Sequence, residues 1–122
     1  MEVQEIIKSL KSKLKKNGFV QKGTYYCKVC CDTIFSVQFQ KRSDGLYNIN
    51  LGIHFETDVS CISMKNVDIG WVLRNHDDNY FEAIDTWFND RSTIAKMKNL
   101  YWSGKLGDFA SNRFRQKIKE CE

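Results

Sequence analysis

Four groupings of residues in this chain have the side-chain types that chemistry needs. The first is Cys27-Lys28-Val29-Cys30-Cys31, which carries the Cys-x-x-Cys spacing of half a zinc site or of a thiol redox pair. A zinc knuckle needs a tight turn between its ligands, and a redox pair needs a helix start whose dipole lowers a thiol pKa. These cysteines instead sit in an aromatic and β-branched run that reads as a strand, where residues three apart point to opposite faces. Only Cys61, Cys121, His54 and His76 remain to complete a metal site. The cluster therefore reads as core and surface thiols, with no metal and no cofactor expected.

The second grouping is His76-Asp77-Asp78, an imidazole beside two carboxylates in a polar loop. Such a trio can bind a divalent cation or move a proton. No partner that would orient it can be named, and acids gather naturally ahead of a helix N-terminus, so no catalytic residue is assigned. The third is the wider acidic segment around it. Asp77, Asp78, Glu82, Asp85 and Asp90 give residues 77–90 a charge of −5 with no base. Residues 1–28 hold seven lysines against Glu2 and Glu5, which is +5, so the net charge of +4 conceals a polarised chain. That asymmetry bears on partners and encounter rates rather than on fold. The fourth is a set of amides and one imidazole, Gln38, Gln40, Asn48, Asn50 and His54, rich in donors and acceptors.

This last set is placed by the two segments that contain it. Phe35, Val37 and Phe39 alternate with Ser36, Gln38 and Gln40; Tyr47, Ile49, Leu51, Ile53 and Phe55 alternate with Asn48, Asn50, Gly52 and His54. A period of two over this length predicts two strands with one apolar and one polar face. Asp44-Gly45 suggests a two-residue hairpin loop, but that would set Phe39 opposite Asn50 and mismatch the faces along the ladder. A three-residue loop, Ser43-Asp44-Gly45, pairs Arg42 with Leu46. Phe39 then faces Ile49, Val37 faces Leu51 and Phe35 faces Ile53, with Gly45 in the left-handed position that the loop requires. The same register joins Gln38 to Asn50 and Gln40 to Asn48, with His54 at the margin of the polar patch. A solvated outer face is the ordinary use of such a surface; a binding face is the functional one.

The other elements follow from periodicity. Val3, Ile6, Ile7, Leu10 and Leu14 mark an amphipathic helix over residues 2–17, stopped by Gly18 with Phe19 folding back on its last turn. Phe19–Lys22 and Thr24–Cys31 read as strands. Val67, Ile69, Trp71 and Leu73 alternate in a further strand over 66–74. Asn79 and Glu82 form a capping box that opens a helix bearing Tyr80, Phe81, Ile84, Trp87 and Phe88. A short helix carries Ile94, Met97, Leu100 and Tyr101, and Asp108 caps a last helix with Ala110, Phe114, Ile118 and Cys121 inward. The fold class expected is α+β over a single domain, 1–122: an N-terminal helix, an antiparallel sheet of four to five strands, and C-terminal helices on one sheet face.

Three stretches carry a resemblance: Leu14-Lys15-Lys16-Asn17-Gly18-Phe19-Val20-Gln21-Lys22-Gly23-Thr24-Tyr25-Tyr26, then Val37-Gln38-Phe39-Gln40-Lys41-Arg42-Ser43, then Tyr47-Asn48-Ile49-Asn50-Leu51-Gly52-Ile53. Over its first half the chain resembles the bacterial family known as domain of unknown function 4304. The resemblance implies a small bacterial cytosolic α+β domain with no assigned activity. Some domains of this kind stand beside toxin systems as immunity or accessory proteins.

Five cysteines, an odd number, fit a reducing compartment. No apolar run approaches a membrane span and the first residues lack a signal-peptide pattern, so a cytoplasmic protein with no membrane association is expected. There is no Gly-rich phosphate loop, no Gly-x-Ser-x-Gly elbow and no His-Glu-x-x-His. The reading is a non-catalytic module that binds a protein partner, a basic one if the acidic segment steers it. The alternative is a nucleic-acid accessory domain using the lysines of the first helix with Arg113, Arg115, Lys117 and Lys119. An enzyme with His54 or His76 as base is the third reading.

Overall fold

The computed structural model describes residues 3–30, 33–56, 58, 60, 62, 66–73 and 80–120. Those residues run α1 (Val3–Lys16), β1 (Val20–Lys22), β2 (Tyr25–Cys30), β3 (Thr33–Lys41), β4 (Tyr47–His54), β5 (Ile69–Leu73), α2 (Tyr80–Asn89), α3 (Ile94–Trp102), β6 (Phe109–Ala110) and α4 (Asn112–Glu120). The architecture is α+β, and the strands form one antiparallel sheet in the order β1-β2-β3-β4-β5-β6.

α1 forms because Ile6, Ile7, Leu10 and Leu14 fall on one face, and all four are buried. It ends as the sequence requires. Gly18 takes φ +91°, its N–H donates to the Lys15 carbonyl, and the Phe19 N–H reaches back to the Leu14 carbonyl at 3.1 Å. This is the double-bonded helix stop in which the residue after the glycine packs onto the last turn. Phe19 is accordingly buried and meets Phe88 of α2, which stacks on Phe35 at 4.4 Å.

The central hairpin has the three-residue loop. The Arg42 N–H donates to the Leu46 carbonyl at 2.7 Å, Gly45 adopts φ +85°, and Asp44 accepts from the Leu46 N–H. Phe39 pairs with Ile49, Val37 with Leu51, Phe35 with Ile53, Gln38 with Asn50 and Gln40 with Asn48. The apolar members face the helices and join a core with Ile69, Ile84, Phe88, Phe114 and Ile118. Each fully buried aliphatic side chain there contributes roughly 1.5–3 kcal/mol of burial free energy.

Three details differ from expectation at the C-terminal end of the sheet. Asp108 does not cap the last helix: its N–H donates to the Gly70 carbonyl and its side chain accepts from the Val72 N–H, which docks β6 beside β5. Ser111 caps instead, its Oγ accepting from the Phe114 N–H at 3.0 Å. The sheet thus has six strands rather than four to five. Val67 also departs from the alternation. β5 begins at Ile69, and a Cβ built on Gly70 would lie 3.4 Å from Val67 Cγ1, so Val67 lies over the outer face rather than in the core. The capping role of Asn79 lies outside the described residues.

Candidate functional site

The polar sheet face divides into two halves of different character. At the hairpin end, Asn50 Nδ2 donates to Gln38 Oε1 at 3.2 Å and Gln40 Oε1 at 3.3 Å, and Gln38 Nε2 donates to Thr24 Oγ1. Gln38, Asn48 and Asn50 are half-buried and Gln40 is exposed. The structure therefore brings these amides together in the predicted register, with much of their hydrogen-bonding capacity already directed at one another.

At the other end the face is covered. His54 belongs to the same row but is 0% exposed, which corrects its assignment to the rim of an open patch. Its Nδ1 lies 3.2 Å from both the carbonyl and the side-chain oxygen of Asn66, and its Nε2 lies 2.7 Å from Ser36 Oγ. Cys27, Ile34 and Ser36 on the same face are buried as well. Asn66 and Val67, in the connection ahead of β5, lie over this end of the face. Burial holds the His54 imidazole below its ordinary pKa; the Asn66 contacts and the Asp68 carboxylate oppose this, and Arg113 adds to it.

Asp68 anchors that connection. It accepts from the Phe55 N–H at 2.8 Å, from Ser111 Oγ, and from Arg113 through two guanidinium nitrogens at 3.0 and 2.6 Å. Burial alone would raise its pKa, but Arg113, the Phe55 N–H and Ser111 outweigh it, so the carboxyl sits below its usual range. Arg113 also pairs with Glu56 at 2.8 Å. Arg113 is thus engaged with its own chain, as are Lys11, Lys15 and Lys117, whose ammonium groups lie over Phe39, Tyr26 and Phe55.

The acidic residues separate in space. Glu82 in the first turn of α2 and Asp90 just past its end line a groove of about 690 Å³ with Trp71, Thr86, Trp87, Arg91, Lys105 and Asp108. Trp71 stacks on Trp87 with ring centres 6.0 Å apart. Arg91 is buried, lies 4.5 Å over the Trp87 ring, and donates to the Trp87, Lys105 and Leu106 carbonyls, which fixes the loop forming the far wall. Asp85 is not part of this groove: it turns toward Asn89, from which it accepts at 3.3 Å, and lines a smaller cleft by Phe19 and Phe81. Asp77 and Asp78 lie outside the described residues, as does His76. No group of three His, Cys, Asp or Glu among the described residues is placed to hold a metal ion. Cys27 pairs with Ser36 on the outer face and Cys30 with Thr33 on the other, so the two sulfurs lie on opposite sides of the sheet. Burial pushes the Cys27 thiol up, with Lys22 opposing.

No family model, curated protein or solved structure gives a significant match to this chain. No described helix is long and apolar enough to cross a membrane. Sequence reasoning missed Ser36 and Asn66, because neither belongs to a motif and their partner lies in another element. The glycines at 52 and 70 were the one available signal: each interrupts a strand at a polar-face position, where a missing side chain marks close approach.

Proposed function

We propose that this chain is a non-catalytic protein-interaction module, bacterial and cytoplasmic, that receives a basic partner in the groove beside α2. The observation that carries the reading is the convergence of Glu82, Asp90 and Asp108 around a wall built on Trp71 and Trp87. Carboxylates attract an approaching cation, and the half-buried Trp71 ring, backed by Trp87, holds it once desolvated. Arg91 already illustrates the pairing from within the fold, with its guanidinium over the Trp87 ring. An immunity or accessory role beside a basic toxin is the setting that best suits such a groove and the sequence resemblance.

A lysine-rich decapeptide titrated against the protein, followed by tryptophan fluorescence, tests this reading. Saturable binding is expected, weakened about tenfold or more in the double variant Glu82→Lys, Asp90→Lys, which reverses two rim charges. Equal binding by that variant, with its circular dichroism unchanged, overturns the reading. Preferential binding of a single-stranded oligonucleotide would instead favour the nucleic-acid alternative.

A further inference from the structure

A second cavity, which shares only Trp71 and Asp108 with the acidic groove, opens on the outer sheet face. Gly52 of β4 and Gly70 of β5 are direct cross-strand partners, and Ser36 of β3 is the next residue in that row. This row lines the floor of a depression of about 240 Å³, with Ser36 Oγ and Val67 packed close over the two glycines. Tyr25, Val67, Val72 and Phe109 contribute to its walls, and Phe109 is 53% exposed at the rim. The lining is dominated by carbon, and the size suits a molecule of one or two rings rather than a larger ligand.

The polarity of the floor is fixed by a chain of hydrogen bonds. The Asn66 carbonyl can only accept, so His54 Nδ1 carries the proton of the neutral ring. His54 Nε2 then holds a lone pair and accepts from the Ser36 hydroxyl at 2.7 Å. The Ser36 proton is thereby directed at His54, and the oxygen, in a lining residue that is 3% exposed, keeps lone-pair capacity for a donor. We propose that this cavity is a binding site for a small, flat, apolar molecule carrying one hydrogen-bond donor, which Ser36 Oγ receives. Acyl transfer by the same serine is not favoured. The N–H groups of β3 and β4 are committed to the sheet ladder, and Asn50 Nδ2 already donates to Gln38 and Gln40, so among the described residues no donors converge on a developing oxyanion.

The test uses two probes of nearly equal shape on the whole chain. Indole has an N–H donor; benzofuran has an oxygen in its place. Amide chemical shifts recorded during titration are expected to move saturably at Ser36, Gly52 and Gly70, with indole bound about fivefold more tightly than benzofuran, the worth of one neutral hydrogen bond. Ser36→Ala is expected to make the two probes equal. Val72→Trp, which fills the cavity from its wall without touching Ser36, is expected to abolish both titrations. The proposal is overturned if the wild-type protein shows no saturable shifts, if it binds the probes equally, or if Ser36→Ala keeps the preference. Should Ser36→Ala fail to fold, the wild-type comparison and Val72→Trp decide the matter. None of these readouts depends on the acidic groove.

Discussion

The Ser36 hydroxyl donates to His54 Nε2 across 2.7 Å, on a sheet face that alternation alone marks as wet. Asn66 meets the other ring nitrogen, so the imidazole is enclosed between Ser36 and Asn66 and has no exposed surface. The Ser36 contact requires an unprotonated Nε2 on His54.

Acidification should therefore loosen the fold. The His54 pKa is lower in the folded state than in the unfolded chain, chiefly through burial. Below about pH 6.5 the unfolded chain takes up a proton that the folded protein refuses, so stability falls as pH drops through that window and levels off below the folded pKa. Asp68 and Arg113 face the ring and act in opposite directions on it. Denaturant melts between pH 7.5 and 5 should show this slope, and His54→Gln should flatten it. A slope unchanged by the substitution would assign the acid sensitivity to other groups.

Gly52→Ala should disturb the same contact by size alone. A Cβ at this position would lie 2.7 Å from Ser36 Oγ and 3.1 Å from His54 Nε2. Overpacking of this kind costs about 1–3 kcal/mol. The measurable results are a lower denaturation midpoint and a shifted His54 imidazole resonance. An unshifted resonance would mean that the backbone yields rather than the pair.

Asp68→Ala should be the most damaging single change in this region. It would strip partners from the Phe55 N–H, Ser111 and Arg113 together, in a carboxylate that is 2% exposed. About 3 kcal/mol is expected, at the low end for a broken buried pair because the Arg113 side chain is 45% exposed and can regain water. Chemical denaturation measures it. In the wild-type protein the Asp68 contribution is present at neutral pH and disappears only as pH falls through its lowered folded pKa. A loss under 1 kcal/mol would show that the connection holds without this anchor.

The hairpin register was readable because one face is buried and a slip of one residue would exchange the faces. The stop at Gly18 was readable because the glycine and the following aromatic are local. β6 was not: Phe109–Ala110 has too few residues for a period, and it is fixed by Asp108 meeting a strand more than thirty residues earlier. His54 was placed on the correct side of its strand and in the wrong environment, since alternation reports facing and not what later folds over it. The groove beside α2 was visible only as charge. Its shape comes from Arg91, which ties the 105–106 loop to the end of α2, and Arg91 carries no signal in a window of neighbouring residues.

The two rims of the sheet are short, three residues in β1 and two in β6. β1 reaches only Tyr25–Cys27 of β2, so that rim descends in steps and, among the described residues, presents no long run of open backbone groups. An extended peptide needs such a run to add itself as another strand. Edges this short offer little template for edge-to-edge pairing with another chain.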